Sequence, residues 1–132
     1  GNALKIKGGT KMPRKRGRPR KKNYIYKAEV QRVVDGDTFR IRVDLGFKTY
    51  RDEIIRLKDV DTPEIRGKER PEGLKVKAYV KKLIDKKTIL LESFKRGRYG
   101  RYICEIYLSG KEKKDPLSKH LLKKGMAKKV NY

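Results

Sequence analysis

The alternation of hydrophobic and polar residues from Asn23 onward predicts a series of β-strands. The side chains expected to share one side of the first strand are Tyr24, Tyr26, Ala28 and Val30. In the second strand, Phe39, Ile41 and Val43 alternate with charged residues. A turn at Leu45 and Gly46 leads to a third apolar run at 54–57, and further strands are expected at 88–92 and 101–108.

Apolar residues at helical spacing predict two helices among these strands. Pro71 would open the first helix, and its apolar stripe comprises Val76, Tyr79, Val80 and Leu83. The second helix would have Asp115 as N-cap, Pro116 at its first position and Gly125 as terminator. Three strands, a helix, two strands and a helix are typical of a five-stranded Greek-key barrel of the OB-fold type, a mainly β, α+β architecture.

The charge of the chain indicates a polyanionic partner. The 132 residues include 39 Lys or Arg against 16 Asp or Glu, a formal net charge of +23. No apolar run approaches the roughly twenty residues of a membrane span, so nucleic acid is favoured over a membrane. Cys104 is the single cysteine, which excludes an intrachain disulfide, and we expect it in the core.

Residues 1–22 differ from the rest, with ten Lys or Arg and no acidic residue. Few large apolar groups are present, so we expect a disordered tail ahead of a domain at 23–132. The tail contains the R-G-R-P core of an AT-hook, at Arg16, Gly17, Arg18 and Pro19. Such a segment can enter the narrow minor groove of A·T-rich DNA. Non-specific electrostatic contact or a nuclear localisation signal are the alternatives.

The candidate chemistry lies mainly between Arg56 and Glu64, which reads R-L-K-D-V-D-T-P-E. Carboxylates can hold a hard metal ion or activate water, and an arginine can neutralise a phosphate. Two further pieces are D-G-D-T at 35–38 and Y-G-R at 99–101. Each piece alone is compatible with an ordinary turn. The helix lysines Lys75, Lys77, Lys81 and Lys82 are either a nucleic-acid face or a solvated surface, and His120 is expected at the surface without a catalytic role.

Taken together, these pieces and the strand pattern resemble the staphylococcal (micrococcal) nuclease, or thermonuclease, family from about Val30 to Tyr132. The resemblance implies a Ca²⁺ ion held by Asp37, Asp61 and the backbone carbonyl of Thr62, with Asp35 as a nearby carboxylate. It also implies that Glu64 is the general base and that Arg56 and Arg101 grip the scissile phosphate. The residues implied to bind the rest of the substrate are Arg98, Tyr99 and Tyr132.

The resemblance further implies hydrolysis of DNA and RNA with little sequence preference, leaving 3′-phosphate and 5′-hydroxyl ends. We expect a monomer with no membrane association and no evident protein partner. No secretory signal is visible, which slightly favours an intracellular location. Two alternatives stay open at this point: a non-catalytic nucleic-acid-binding module, and a nucleoid or chromatin architectural protein in which the basic tail is primary.

Overall fold

The computed structural model describes residues 23–97 and 100–130. Its longer strands are β1 (Tyr24–Asp35), β2 (Thr38–Asp44), β3 (Tyr50–Leu57), β5 (Thr88–Arg96) and β6 (Tyr102–Tyr107). Two short strands, β4 (Val60–Asp61) and β7 (Lys128–Lys129), pair with each other. The helices are α1 (Arg70–Ile84), preceded by a 3₁₀ turn at Gly67–Glu69, and α2 (Leu117–Lys123).

The five longer strands close into a barrel in the order β1-β2-β3-β6-β5. Strand β3 pairs with β6 in parallel, and the other pairs, including β5 with β1 across the closure, are antiparallel. This order and the placement of α1 between the third and fourth barrel strands are those of an OB-fold. The predicted fold class is confirmed, and the chain adds the small β4–β7 pair.

The core lies inside the barrel and under the two helices. Phe39, Ile41 and Ile55 are almost completely buried, as the period-two pattern predicts. Helix α1 contributes Val76, Val80 and Ile84, and α2 contributes Leu117 and Leu121. Cys104 is buried as expected, and burial raises the pKa of its thiol to about 12. Among residues 23–97 and 100–130, no helix is long and apolar enough to cross a membrane.

Strand β1 breaks its own alternation twice. The register with β2 shifts between Val30 and Arg32 and again between Val33 and Asp35, so Gln31 and Val34 are the extra residues of two bulges. Each bulge turns the following side chain towards the outer face of the sheet. Arg32 therefore lies outside although Val30 is buried, and Asp35 comes to lie opposite Thr38.

The start of α2 differs from the prediction. The helix begins at Leu117, and Pro116 precedes it as N-cap with an extended backbone (φ −66°, ψ 131°). The Asp115 carbonyl accepts the Leu108 N–H at 3.0 Å, and Pro116 forms an isolated bridge to Tyr107. This pairing along β6 holds the two residues outside the helix, so Asp115 is not its N-cap. His120 is half-buried, with Nε2 2.6 Å from the Tyr79 hydroxyl, which joins α2 to α1.

Candidate active site

Asp37 is the anchor of a polar cluster on one edge of the barrel. It lies in the β1–β2 turn with only 7% of its side chain exposed. Its Oδ1 accepts the Thr38 hydroxyl at 3.1 Å, and its Oδ2 accepts the Thr62 backbone N–H at 3.0 Å. Its carboxylate also forms an ion pair with Arg56. These contacts join the β1–β2 turn, the end of β3 and the segment after β4.

Arg56 bridges two of the carboxylates predicted from the sequence. Besides its ion pair with Asp37, its Nη2 donates to Asp61 Oδ1 at 3.1 Å. The Arg56 side chain is 17% exposed, whereas that of Asp61 is 54% exposed. The Arg56–Asp61 contact therefore faces water and adds little to stability. Asp61 can exchange this partner for another cation at small cost.

Asp35 contributes a buried oxygen without a hydrogen-bond partner. Its Oδ1 is the one buried side-chain polar atom within the described ranges that lacks one. Burial raises the pKa of Asp35, the charge of nearby Asp37 raises it further, and Lys77 and Arg56 partly oppose these effects. An unpaired buried carboxylate oxygen beside a second carboxylate favours a bound cation.

Glu64 is exposed, and its backbone is held in place. Its N–H donates to Glu69 Oε1 at 2.9 Å, and α1 packs directly against its carbonyl group. A Cβ added to Gly73 would lie 2.5 Å from the carbonyl carbon of Glu64 and closer still to its oxygen. Gly36 allows a similar approach, because a Cβ there would lie 2.6 Å from Val76 Cγ1. Two glycines thus let the turn, the Glu64 segment and α1 meet.

Arg101 lies near this cluster, at a separation of two residues along β3 from Arg56. Tyr102 pairs with Ile55 in the parallel β3–β6 ladder, which places Arg101 beside Ile54. It lines a surface groove of about 530 Å³ together with Arg40 and Ile54. The part of the chain that the structure describes does not include Arg98, Tyr99, Tyr132 or the AT-hook-like residues Arg16, Gly17, Arg18 and Pro19.

Lys77 is a site residue that the sequence did not single out beyond the lysines of α1. It is half-buried, and its charge acts on Asp35 across the gap between α1 and the barrel. The signal available in the sequence was its position: it lies four residues after Gly73 and next to Val76, on the edge of the core-facing stripe. A lysine there has its stem in apolar surroundings and its ammonium near the cluster.

The donor set suits a hard cation such as Ca²⁺. No group of three Asp, Glu, His or Cys side chains capable of holding a metal occurs within residues 23–97 and 100–130. The predicted set needs only two carboxylates, a carbonyl and waters, all of them hard oxygen ligands. The unpaired Oδ1 of Asp35 and the exposed Asp61 fit that chemistry. Four carboxylates, Asp35, Asp37, Asp61 and Glu64, face two basic groups, Arg56 and Lys77.

Comparison with known proteins identifies the family. The family described as Staphylococcal nuclease homologue matches residues 54–132. The chain belongs to this family. The match includes Arg56, Asp61, Thr62, Glu64 and Arg101, while Asp35 and Asp37 precede it and are joined to it by the contacts described above.

One curated relative extends the similarity over more of the chain. The Uncharacterized protein MJ1439 of Methanocaldococcus jannaschii is 29% identical over 126 residues. The alignment covers 78% of this chain and 58% of the relative, so the chain spans well under two thirds of that protein's length. The resemblance to the nuclease family is confirmed at the level of the domain, and the roles of individual residues stay predictions.

Proposed function

We propose that the protein is a calcium-dependent nuclease that hydrolyses phosphodiester bonds of DNA and RNA with little sequence preference. The observation that carries the proposal is the Asp37–Arg56–Asp61 bridge beside the unpaired oxygen of Asp35. It combines hard oxygen donors with a guanidinium in a chain of the nuclease family. A site of this kind suits a phosphate better than any neutral substrate.

Each of the predicted residues has a definite task in the proposed hydrolysis. Asp37, Asp61 and the Thr62 carbonyl would hold Ca²⁺, which when bound withdraws charge from the phosphate. Glu64 takes a proton from the attacking water, whose oxygen forms the new bond to phosphorus. The bond from phosphorus to the 5′ oxygen breaks, and that oxygen takes up a proton from solvent. The products are a 3′-phosphate and a 5′-hydroxyl end.

Arg56 and Arg101 stabilise the charge that accumulates on the phosphate. The ion pair with buried Asp37 already orients the Arg56 guanidinium, so little ordering is needed when substrate arrives. A planar fork can donate two hydrogen bonds to phosphate oxygens, which a lysine cannot match in geometry. Arg98, Tyr99 and Tyr132 would bind the flanking phosphate and base, where a ring contributes about 1–3 kcal/mol by stacking.

The proposed activity is tested by cleavage of single-stranded DNA with Ca²⁺ or with a chelator. We expect cleavage in the presence of Ca²⁺ and none in the presence of the chelator. Glu64→Gln should reduce turnover by about 10²–10⁴-fold while DNA binding is retained. The control is Glu72→Gln, which removes an exposed carboxylate of α1 and should leave turnover unchanged. Absence of calcium-dependent cleavage by the intact protein would favour the non-catalytic binding module instead.

For the basic tail we propose a recruiting role. Residues 1–22 carry ten of the 39 basic residues without an acid, and the R-G-R-P core suits the minor groove of A·T-rich duplex DNA. When the basic residues of such a segment neutralise phosphates, they raise the affinity for DNA independently of contacts at the active site. An architectural protein would instead depend on the tail for its whole function and would show no turnover.

A further inference from the structure

We infer that the outer face of the barrel carries a phosphate-binding row of Arg32, Arg40 and Arg101, in which Arg32 and Arg40 continue the substrate track beyond Arg101, the residue proposed to grip the scissile phosphate. The inference rests on the proposed function, because it gives the nuclease site a track for the adjoining part of a single-stranded substrate. We call these three residues the arginine row. They come from three different strands or strand ends, so no short sequence motif contains them.

Strand register places the arginine row beside the reaction site. Arg32 pairs with Arg40, and Arg40 pairs with Ile54. Arg101 lies beside Ile54, because Tyr102 pairs with Ile55. The bulge at Gln31 is what brings Arg32 to the outer face. The neighbouring row is Asp35, Thr38 and Arg56, which lies two residues along β2 and β3 and, because of the bulge at Val34, three residues along β1, about 7 Å away.

The pairing of Arg32 with Arg40 is unfavourable unless an anion lies over it. Like charges directly opposite each other on antiparallel strands are destabilising. None of the three arginines forms an ion pair with another residue in the described part of the chain. The row beyond them differs: Glu29 pairs with Arg42, and Arg42 donates to Asp52 at 2.9 and 3.2 Å. The pKa of Asp52 is lowered by its hydrogen bond with Arg42 and also by the charge of Arg40, so the positive charge in the row next to the site is compensated only in part.

The groove along this row has the form that one nucleic-acid strand requires. About 530 Å³ of space is lined by Arg40, Asp52, Glu53, Ile54, Gly100 and Arg101. Ile54 is 36% exposed between the two arginines, so a base can pack on it while phosphates meet the guanidinium groups. The carboxylates of Asp52 and Glu53 also line the groove, so its phosphate-binding surface is limited to Arg40 and Arg101, which suffices for one strand. The occupant that fits is a single strand continuing from Arg56.

The salt dependence of binding, measured with the full chain and without divalent ions, tests the arginine row. Each lost phosphate contact should make the slope of log affinity against log salt shallower by about 0.7 for a single strand. Arg40→Ala should thus change the slope by about 0.7, and the double variant Arg32→Ala/Arg40→Ala by about 1.4. The matched control is Arg42→Ala, which removes the same charge from the same strand and should leave the slope unchanged.

A residue-specific measurement separates this row from the basic tail. On titration with a six-nucleotide single strand, the Nε–H resonance of Arg40 should shift in the NMR spectrum while that of Arg42 stays in place. Equal effects for Arg40 and Arg42 in both measurements would overturn the inference, as would the same Arg40-specific effect with a duplex. Either result would overturn the arginine row without contradicting calcium-dependent cleavage. Conversely, failure of the cleavage assay would contradict the proposed function without contradicting strand binding by the arginine row.

Discussion

Gly73→Ala is the change that most directly tests how α1 positions Glu64. Inside a helix this substitution ordinarily adds about 1 kcal/mol of stability, since alanine has the higher helix propensity. Here the new Cβ would lie 2.5 Å from the carbonyl carbon of Glu64 and 2.9 Å from the Ile65 nitrogen. Carbon atoms pack at about 3.5–4.0 Å, so α1 and the Glu64 segment must separate by about 1 Å. Overpacking of this kind costs about 1–3 kcal/mol and involves backbone on both sides.

We therefore expect Gly73→Ala to lower the free energy of unfolding by up to about 2 kcal/mol, because the gain in helix propensity offsets part of the overpacking cost, and to lower the Tm by about 4–8 °C for each kcal/mol lost. Turnover measured well below the Tm should fall by up to about 100-fold, because a displacement of 1 Å at a reacting group has effects of that size. The control is Leu74→Ala, an exposed position on the same helix, which should change neither quantity much. A stabilised Gly73→Ala protein with normal turnover would refute this account of Glu64.

The remaining predictions concern the tail and a buried carboxyl. Deleting residues 1–22 should make duplex binding less salt-dependent, by about 0.9 log units per lost phosphate contact, while cleavage of short oligonucleotides is preserved; unchanged duplex affinity would exclude the recruiting role. Burial raises the pKa of Glu105 above its ordinary 4.5 despite hydrogen bonds from Ser118. The stabilisation from its protonation is thus complete below the unfolded-state pKa and is lost as pH rises through the folded-state pKa. The free energy of unfolding of Glu105→Gln, measured with urea, should therefore rise relative to that of the parent protein between pH 4.5 and pH 7. A difference that does not change with pH would contradict the raised pKa of Glu105.

The sequence was sufficient to predict the barrel because its strands obey one simple rule. A strand with one face in the core alternates with period two, and Phe39, Ile41 and Val43 do so without interruption. The two bulges of β1 could not be predicted in this way, since a bulge adds a residue without leaving a compositional signal. Their positions at Gln31 and Val34 decide that Arg32 pairs with Arg40 and that Asp35 pairs with Thr38.

Only those residues of the candidate site that lie within a sequence motif could be predicted. The pieces at 35–38 and 56–64 predicted that Asp37, Arg56, Asp61 and Thr62 belong together, and the structure joins them by hydrogen bonds and ion pairs. Gly73 and Lys77 were not predicted as site residues, because their importance arises from how closely α1 approaches the barrel. The same holds for Arg40, whose relation to Arg101 depends on β3 lying between them.

In the proposed nuclease, strand binding and phosphodiester cleavage depend on two adjacent rows of side chains on the outer face of the sheet. A chain of net charge +23 attracts a polyanion from a distance, and the proposed arginine row should hold a strand without any metal ion. The row of Asp35 and Arg56, with Asp37 and Asp61 beside it, instead opposes an approaching phosphate until a cation compensates the carboxylates. Strand binding should therefore persist in chelator while cleavage does not. For that reason, variants of Arg32 and Arg40 should alter the salt dependence of binding, whereas variants of the acidic cluster should alter the calcium dependence of turnover.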